Sequence, residues 1–249
     1  MIEKSIIWKI LYALRDLRAK KVFRALQEYC SGDVLDIGGW DFYLSIKNNK
    51  RITYKSWTIL ENENDPAVNE FKIVDSTVRL LKGDGCKMQL EDSSFDTVLN
   101  IQVLEHVFEP IKMVQEVSRV LKPDGYAIFL IPQTGVIHYA PEHYYNFTRF
   151  WIQKVMEKSN LEILELTPLG GIWSSMASHL FHFFLQSIRF GGMSYPECKR
   201  NFWYFILYPF MTIYALFNIP ACMFLSLGDL IEEPNNHFVL VRKKAYTKI

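Results

Sequence analysis

His138 and His143 stand five residues apart in an aromatic loop, and Tyr144 directly follows the second. Histidine titrates near neutrality, so both are candidate proton acceptors, with Tyr144 as a candidate orienting hydroxyl. The same segment also reads as simple packing beneath a helix that begins at Thr148, and both readings stand. A second chemical signal lies upstream. Val34-Leu35-Asp36-Ile37-Gly38-Gly39 is a short apolar run that ends in an acid and two glycines. Buried parallel strands look like this where they enter a turn whose backbone approaches a ligand closely. Gly83-Asp84-Gly85, Ser94-Phe95-Asp96-Thr97-Val98-Leu99 and Leu121-Lys122-Pro123-Asp124-Gly125-Tyr126 follow in that order. In register, the four segments read as successive strand–helix units of one nucleotide-binding sheet.

The elements that must position these residues can be traced along the chain. Residues 4–29 place Ile7, Leu11, Leu14, Leu17 and Leu26 at helical spacing, with Arg15, Arg18, Lys20, Lys21 and Arg24 between them. That is an amphipathic helix leading into the first strand, packed on the domain or, as the alternative, laid on a membrane. Strands are expected at 34–37, 52–60, 95–100, 126–131, 161–167 and 237–242. Residues 61–82 look irregular, with 71–75 as a short extra strand. Pro110 suits the first turn of a helix buried through Met113, Val114, Val117, Val120 and Leu121, because proline there loses no hydrogen bond. Thr148 can cap the next helix. Alternating strands and helices with short turns give an α/β doubly wound fold.

Bulk properties narrow the classes. The 249 residues fit one large domain or a domain with an insertion. A net charge of +1 gives no general reason to expect nucleic acid. Cys30, Cys86, Cys198 and Cys222 are scattered without metal-ligand spacing, so reduced thiols in a cytoplasmic compartment are expected. The N-terminal stretch carries Glu3, Lys4 and Lys9 and does not read as a signal peptide.

The ordered segments resemble the class I S-adenosylmethionine-dependent methyltransferases, in particular the type-11 branch, over residues 32–150. Members read "vLDiGcG", then "gDa..LPf.d.SFD.V", "LEH...p" and "LkPGG.l....P". The resemblance implies a Rossmann-like, mostly parallel seven-stranded sheet with an antiparallel last strand, and S-adenosylmethionine as cofactor. It places the backbone of Gly38 and Gly39 against the methionine and ribose part of that cofactor, with Asp36 orienting the loop or the methionine amino group. Trp40 and Asp41 follow where the family has a third glycine. Asp84, in Gly83-Asp84-Gly85, matches the acid that accepts from the adenine amino group, a charge-assisted bond; the other reading is a turn aspartate. Met88 or Cys86 could pack on the adenine or belong to the core. Glu61 is the candidate for the ribose hydroxyls, with Glu63 and Asp75 as alternatives. Asn100-Ile101-Gln102 falls where family backbone lines the sulfonium pocket, and Leu104-Glu105-His106 matches "LEH". His106 either touches cofactor or substrate or fixes its own helix, and Asp96 is expected to be structural.

Methyl transfer from a sulfonium is an in-line displacement. It asks the protein for alignment, dryness and, with a hydroxyl acceptor, a base. It needs no metal, and none is expected. The base should come from the loop that follows Pro132. That loop resembles the subgroup pattern "H..P.DYwRFT" through His138, Pro141, Tyr144, Phe147 and Thr148, with His143 and Asn146 in place of the aspartate and arginine. The subgroup is found beside polysaccharide genes. O-methylation of a glycan or lipid-linked intermediate is therefore expected, with a quinone-like or other lipid acceptor, or a catalytically silent membrane- or partner-binding chain, as alternatives.

Residues 169–234 interrupt the domain formed by 32–168 and 235–249, after the helical segment 1–31. From Asn201 to Gly228 there is no charged residue across 28 positions, which passes the length of a membrane span. Pro209 and Pro220 should break the run into shorter helices. Because the flanking strands join one sheet, a single crossing is excluded. Two readings remain: a re-entrant or interfacial hairpin at a membrane surface, or a buried cap or dimer interface. Both put an apolar helical insertion over the active-site edge. A cytoplasmic enzyme in peripheral or monotopic membrane contact is expected, and a homo-oligomer is left open.

Overall fold

Short apolar runs bounded by turn residues pair into one seven-stranded sheet in the order β3-β2-β1-β4-β5-β7-β6. The computed structural model describes residues 20–39, 42–46, 49–62, 76–187 and 199–245. The strands are β1 (Asp33–Ile37), β2 (Ser56–Glu61), β3 (Val78–Lys82), β4 (Phe95–Ile101), β5 (Leu121–Pro132), β6 (Leu161–Leu169) and β7 (Asn236–Lys243). Helix α1 covers 20–29. It is followed by α2 (Phe42–Ile46), α3 (Pro110–Val120), α4 (Arg149–Lys158), α5 (Ile172–Ser187) and α6 (Phe202–Leu225). Strands β1 to β5 are parallel where they pair, and β7 runs antiparallel to both β5 and β6. This is the Rossmann-like arrangement that the sequence implied, and the strand order reverses between β1 and β4.

Side chains alternate across the sheet, so each strand feeds two cores. Leu35, Ile37, Val98, Phe129 and Ile131 face Met113, Val114 and Val117 of α3 and Ile152 and Met156 of α4. Val34, Leu99, Ile128, Leu130 and Leu240 face Val22 and Leu26 of α1 and Tyr43 and Ile46 of α2. Leu26 thus takes its expected inward place, while the remaining helical positions Ile7, Leu11, Leu14 and Leu17 lie outside the described residues. Lys21 of α1 reaches over to Thr167 and Glu165 of β6. Helix α3 opens with Glu109 and Pro110 as expected, and Thr148 accepts the Trp151 N–H at 3.4 Å to cap α4.

Several expectations need correction. Strand β2 starts at Ser56 rather than at residue 52. Residues 78–82, read as irregular, form the edge strand β3, and the expected strand at 71–75 lies outside the described residues. With one neighbour among the described residues, β3 buries little beyond Val78, and Arg79 bonds across to Thr58 Oγ1 at 2.7 Å. An edge strand of this kind carries almost no hydrophobic pattern. Prolines 209 and 220 do not divide α6, which is continuous for 24 residues. Each proline removes one rung, but the neighbouring rungs are supported by packing on α5 (Phe183 on Tyr208, ring centroids 6.0 Å apart). Asn201 also caps α6 by accepting the Tyr204 N–H at 2.9 Å.

Opposite the glycine turn, Asp96 fixes the amino edge as expected. Its carboxylate accepts the Asp33 N–H at 2.8 Å and pairs with Lys122 at 2.7 Å. Gly32 makes room for it: φ is +61° and a Cβ there would lie 2.1 Å from Asp96 Oδ2. We expect Gly32→Ala to combine left-handed strain with the loss of this bond, costing about 2–4 kcal/mol. Urea unfolding should show a matching fall in midpoint, and an unchanged midpoint would contradict the assignment.

Candidate functional site

Strands β1, β3 and β4 each hand the chain over at the carboxyl edge through one more ladder bond. Gly38 N–H donates to Leu60 O at 2.9 Å, Gly83 N–H to Glu61 O at 2.9 Å, and Gln102 N–H to Leu130 O at 2.9 Å. The expected cofactor segments therefore leave the sheet side by side, at the switch point where α/β folds bind ligands. Asp36 is fully buried at the end of β1. Gly39 crosses its carboxylate so closely that a Cβ would lie 2.0 Å from Asp36 Cγ. Gly38 has φ +65° and passes Val103. Trp40 and Asp41 lie outside the described residues.

Gly85 backs onto Met113 and Ile37, and Met88 is buried in the same cluster as Ile37, Leu60 and Met113. Asn100 is buried, its Nδ2 3.2 Å from Met113 Sδ, and its Oδ1 has no partner among the described residues. Ile101 closes β4. Gln102 takes φ +58° and donates to Asn236 Oδ1 at 2.6 Å; a non-glycine residue in this region is strained. Glu61 is buried at the end of β2, whereas Glu63 and Asp75 lie outside the described residues. Asp84 is exposed and accepts the Cys86 N–H at 2.8 Å. It is thus a turn aspartate at the surface. Burial pushes the Cys86 thiol up to about 11, which keeps it protonated.

One cation holds the Asp84–Asp92 segment in place. Arg119 donates to Leu90 O at 2.7 Å, Met88 O at 2.9 Å and Asp92 Oδ1 at 2.7 Å, and it is paired with Glu116. Glu116 in turn accepts the Met88 N–H at 2.8 Å.

The acceptor side shows a grouping that spacing did not reveal. Histidines 138 and 143 meet His106, which lies in the turn Leu104–His106 after β4. Ring centroids are 4.8 Å apart for His106–His138, 4.9 Å for His138–His143 and 5.4 Å for His106–His143. Burial lowers His106 to about 4, and it also lowers His143. Both are therefore neutral bases at neutral pH. Glu105 is fully buried beneath them, its carboxyl pushed up to about 8 by desolvation. Tyr144 sits apart from this group. Its N–H donates to Glu105 O at 2.8 Å, but its ring packs on Phe108. The aromatic ring that meets His106 is Tyr139, at 5.6 Å. His106 and Glu105 could be suspected from "LEH", but Tyr139 carried no signal. Asn146, which replaces the subgroup's arginine, donates to Gly135 O at 3.1 Å and closes the loop.

The same loop is bonded to the base of the α5–α6 hairpin. Thr134 Oγ1 lies 2.8 Å from Ser175 Oγ, and Ser175 donates to Glu233 O at 3.0 Å. Asp229 accepts the N–H groups of Trp173 and Ser174 at 2.8 and 3.1 Å, so the returning strand of the hairpin caps α5. Two surface clefts lie elsewhere. One of about 700 Å³ faces the amino edge at Asp33, Lys55 and Arg79, and one of about 660 Å³ lies between Phe108, Pro110, Tyr145 and Trp151.

Comparison with known proteins agrees with this geometry. Residues 58–129 match the family model described as "Methyltransferase domain". A protein of Mycolicibacterium smegmatis described as "Probable S-adenosylmethionine-dependent methyltransferase" is 27% identical over 150 residues, 59% of this chain. The chain aligns with just over half, 56%, of that relative's length. An Archaeoglobus fulgidus SAM-dependent methyltransferase superposes with a TM-score of 0.55 at 13% identity, covering 93% of this chain and 94% of that one. The Haemonchus contortus phosphoethanolamine N-methyltransferase 2, in complex with S-adenosyl-L-methionine, gives 0.57 at 15% identity, covering 92% and 53%. Residues 58–129 thus match a methyltransferase domain, and the chain shares the fold of solved S-adenosylmethionine-dependent methyltransferases. The residues present fit that cofactor: the orphaned Asn100 Oδ1 and the glycine crossing over Asp36 form a cradle at the switch point.

The Arg119 guanidinium beside Glu116 holds its carboxyl below the ordinary 4.5. A depressed folded-state value means that this contribution is complete above the ordinary value and lost as pH falls through the lowered one. Glu116→Gln should therefore be less stable than the native chain at pH 7, with the gap narrowing as pH falls below the ordinary 4.5. Urea midpoints for both proteins across this range check it, and an equal gap at pH 7 and pH 3 would refute the clamp.

Proposed function

We propose that the chain transfers the methyl group of S-adenosylmethionine to a hydroxyl oxygen of a glycan or lipid-linked intermediate at a membrane surface. One observation carries this reading: the cofactor cradle, the histidine group and the base of a hairpin whose two helices, α5 and α6, carry no charged residue share the carboxyl edge of one sheet. When bound, the cofactor supplies a methyl group already activated on a sulfonium. The chain does the rest. The backbone at Gly38 and Gly39 receives the methionine end, Glu61 the ribose hydroxyls and Asp84 the adenine amino group. The backbone of Asn100, Ile101 and Gln102 walls the sulfonium. The His138 and His143 group would take the proton that the acceptor hydroxyl gives up on accepting the methyl group. Tyr144, on Phe108, lines the approach.

Helix α6 supports the lipid-surface part. Its 24 residues extend about 36 Å, and Phe202, Phe217 and Phe224 are each at least 72% exposed. The described domain does not bury this face, so the reading of a cap packed on its own domain loses support. Both ends of the 169–234 segment return to one sheet edge, so the hairpin lies along or re-enters the surface rather than crossing it. Aromatic bodies with polar tips suit the interfacial zone.

Calorimetry on the intact chain should show S-adenosylmethionine binding, weakened about 10–100-fold by Asp84→Ala through loss of a charge-assisted bond. Labelled methyl groups should then appear in native membrane extracts with the native chain and not in its absence. A folded Asp84→Ala chain with native affinity would end the adenine assignment, and no binding at all would end the proposal.

The chain should also float with liposomes, and replacing Phe202, Trp203, Phe205 and Phe210 by Ser should abolish flotation. A native chain that stays lipid-free and dimeric would transfer this face to a second copy.

A further inference from the structure

Among the described residues, His106, His138 and His143 form the single group of three or more ligating side chains. One nitrogen from each lies within 4.8 Å of the others. The hydrogen bonds decide where the lone pairs point. His106 Nδ1 lies 2.5 Å from Glu142 O and His138 Nδ1 lies 2.9 Å from Val136 O. A carbonyl only accepts, so each Nδ1 carries the ring proton and each Nε2 is a bare lone pair. Those two Nε2 atoms face each other at 3.2 Å. Two lone pairs at that distance repel unless a positive charge sits between them.

The spacing is that of ligands on one ion. Tetrahedral zinc with Zn–N bonds of about 2.0–2.1 Å sets neighbouring nitrogens about 3.3–3.4 Å apart. His106 and His138 already meet this, and the third ring closes it by moving inward about 1.5 Å. Nδ1–H bonded to a backbone carbonyl is also how metal-bound histidines are usually oriented. A separate observation points to the same place. Both carboxylate oxygens of the fully buried Glu105 have no hydrogen-bond partner among the described residues, and Oε1 lies 3.9 Å from His106 Nε2. His143 Nε2 is buried without a partner, and its Nδ1 accepts the His138 N–H at 3.4 Å, a long bond that gives way when this ring turns its lone pair to the ion.

We propose that His106, His138 and His143 bind a divalent transition-metal ion, with zinc as the first choice and the Glu105 carboxylate facing it. Imidazole nitrogens with one carboxylate suit such ions and not magnesium or calcium. The ion sits on the loop that we assign to the methyl acceptor, where it would lower the pKa of an acceptor hydroxyl in place of a free imidazole base. Only that last step rests on the proposed function. Metal binding itself is measured without cofactor or acceptor.

The test uses the full chain without a polyhistidine tag, stripped with chelator and returned to metal-free buffer. Calorimetry with zinc chloride should give one equivalent bound at micromolar affinity or tighter. Cobalt chloride should give the visible ligand-field bands of a four-coordinate ion, displaced by zinc. His138→Ala and His143→Ala should each weaken zinc binding by at least about 100-fold, and Glu105→Gln by about tenfold. Circular dichroism verifies folding, and His138→Gln replaces any alanine variant that does not fold. Absence of cobalt bands in the native chain overturns the proposal. So does a full equivalent of zinc retained in folded variants at both His138 and His143, which would move binding to positions such as His179 and His182 on α5. Zinc binding without methyl transfer would leave the site standing and remove the proposed function alone.

Discussion

The ladder bond that continues one residue beyond β1, β3 and β4 is the constraint on which the rest of this molecule depends. Buried backbone groups must find partners, and at the carboxyl edge Gly38, Gly83 and Gln102 find them on the carbonyls of Leu60, Glu61 and Leu130 in the neighbouring strands. Three loops that are far apart in sequence are thereby fixed side by side. Everything proposed to touch a cofactor hangs from those three bonds, so the cradle is as rigid as the sheet that carries it.

The second level of order is electrostatic and local. Arg119 joins α3 to the segment from Met88 to Asp92, and Asp96 with Lys122 ties the amino edge. These pairs are partly exposed, so their worth lies in geometry more than in net energy. They spare the loops from needing apolar side chains, which leaves the carboxyl edge free for polar ligands. The antiparallel course of β7 has a comparable consequence. It returns the chain to the same edge it left after β6, so the α5–α6 hairpin stands beside the site and its base bonds to the histidine-bearing loop.

Legibility in the sequence follows burial. Strands β1, β4 and β5 lie inside the sheet and are covered on both faces, so their apolar runs announce them. Edge strand β3 has one neighbour among the described residues and a mostly solvated side-chain row, and its sequence Val-Arg-Leu-Leu-Lys carries no such sign. The prolines of α6 misled for a related reason. A local rule states what a proline costs one rung, while the continuity of a 24-residue helix depends on rungs and contacts on either side of it.

By itself, the sequence determined the order of the strand–helix units, the glycine turn beneath which Asp36 is buried, and the uncharged run from Asn201 to Gly228. Each of these is written in neighbouring residues, whose periodicity and backbone freedom act over a few positions. Only the tertiary structure decided that His106 joins His138 and His143, that Glu105 is buried beneath them, and that Tyr139 rather than Tyr144 meets their rings. Those contacts bring together the turn after β4 and the loop after β5. They exist because the sheet sets parallel neighbours within 5 Å of one another, a distance that no spacing along the chain encodes.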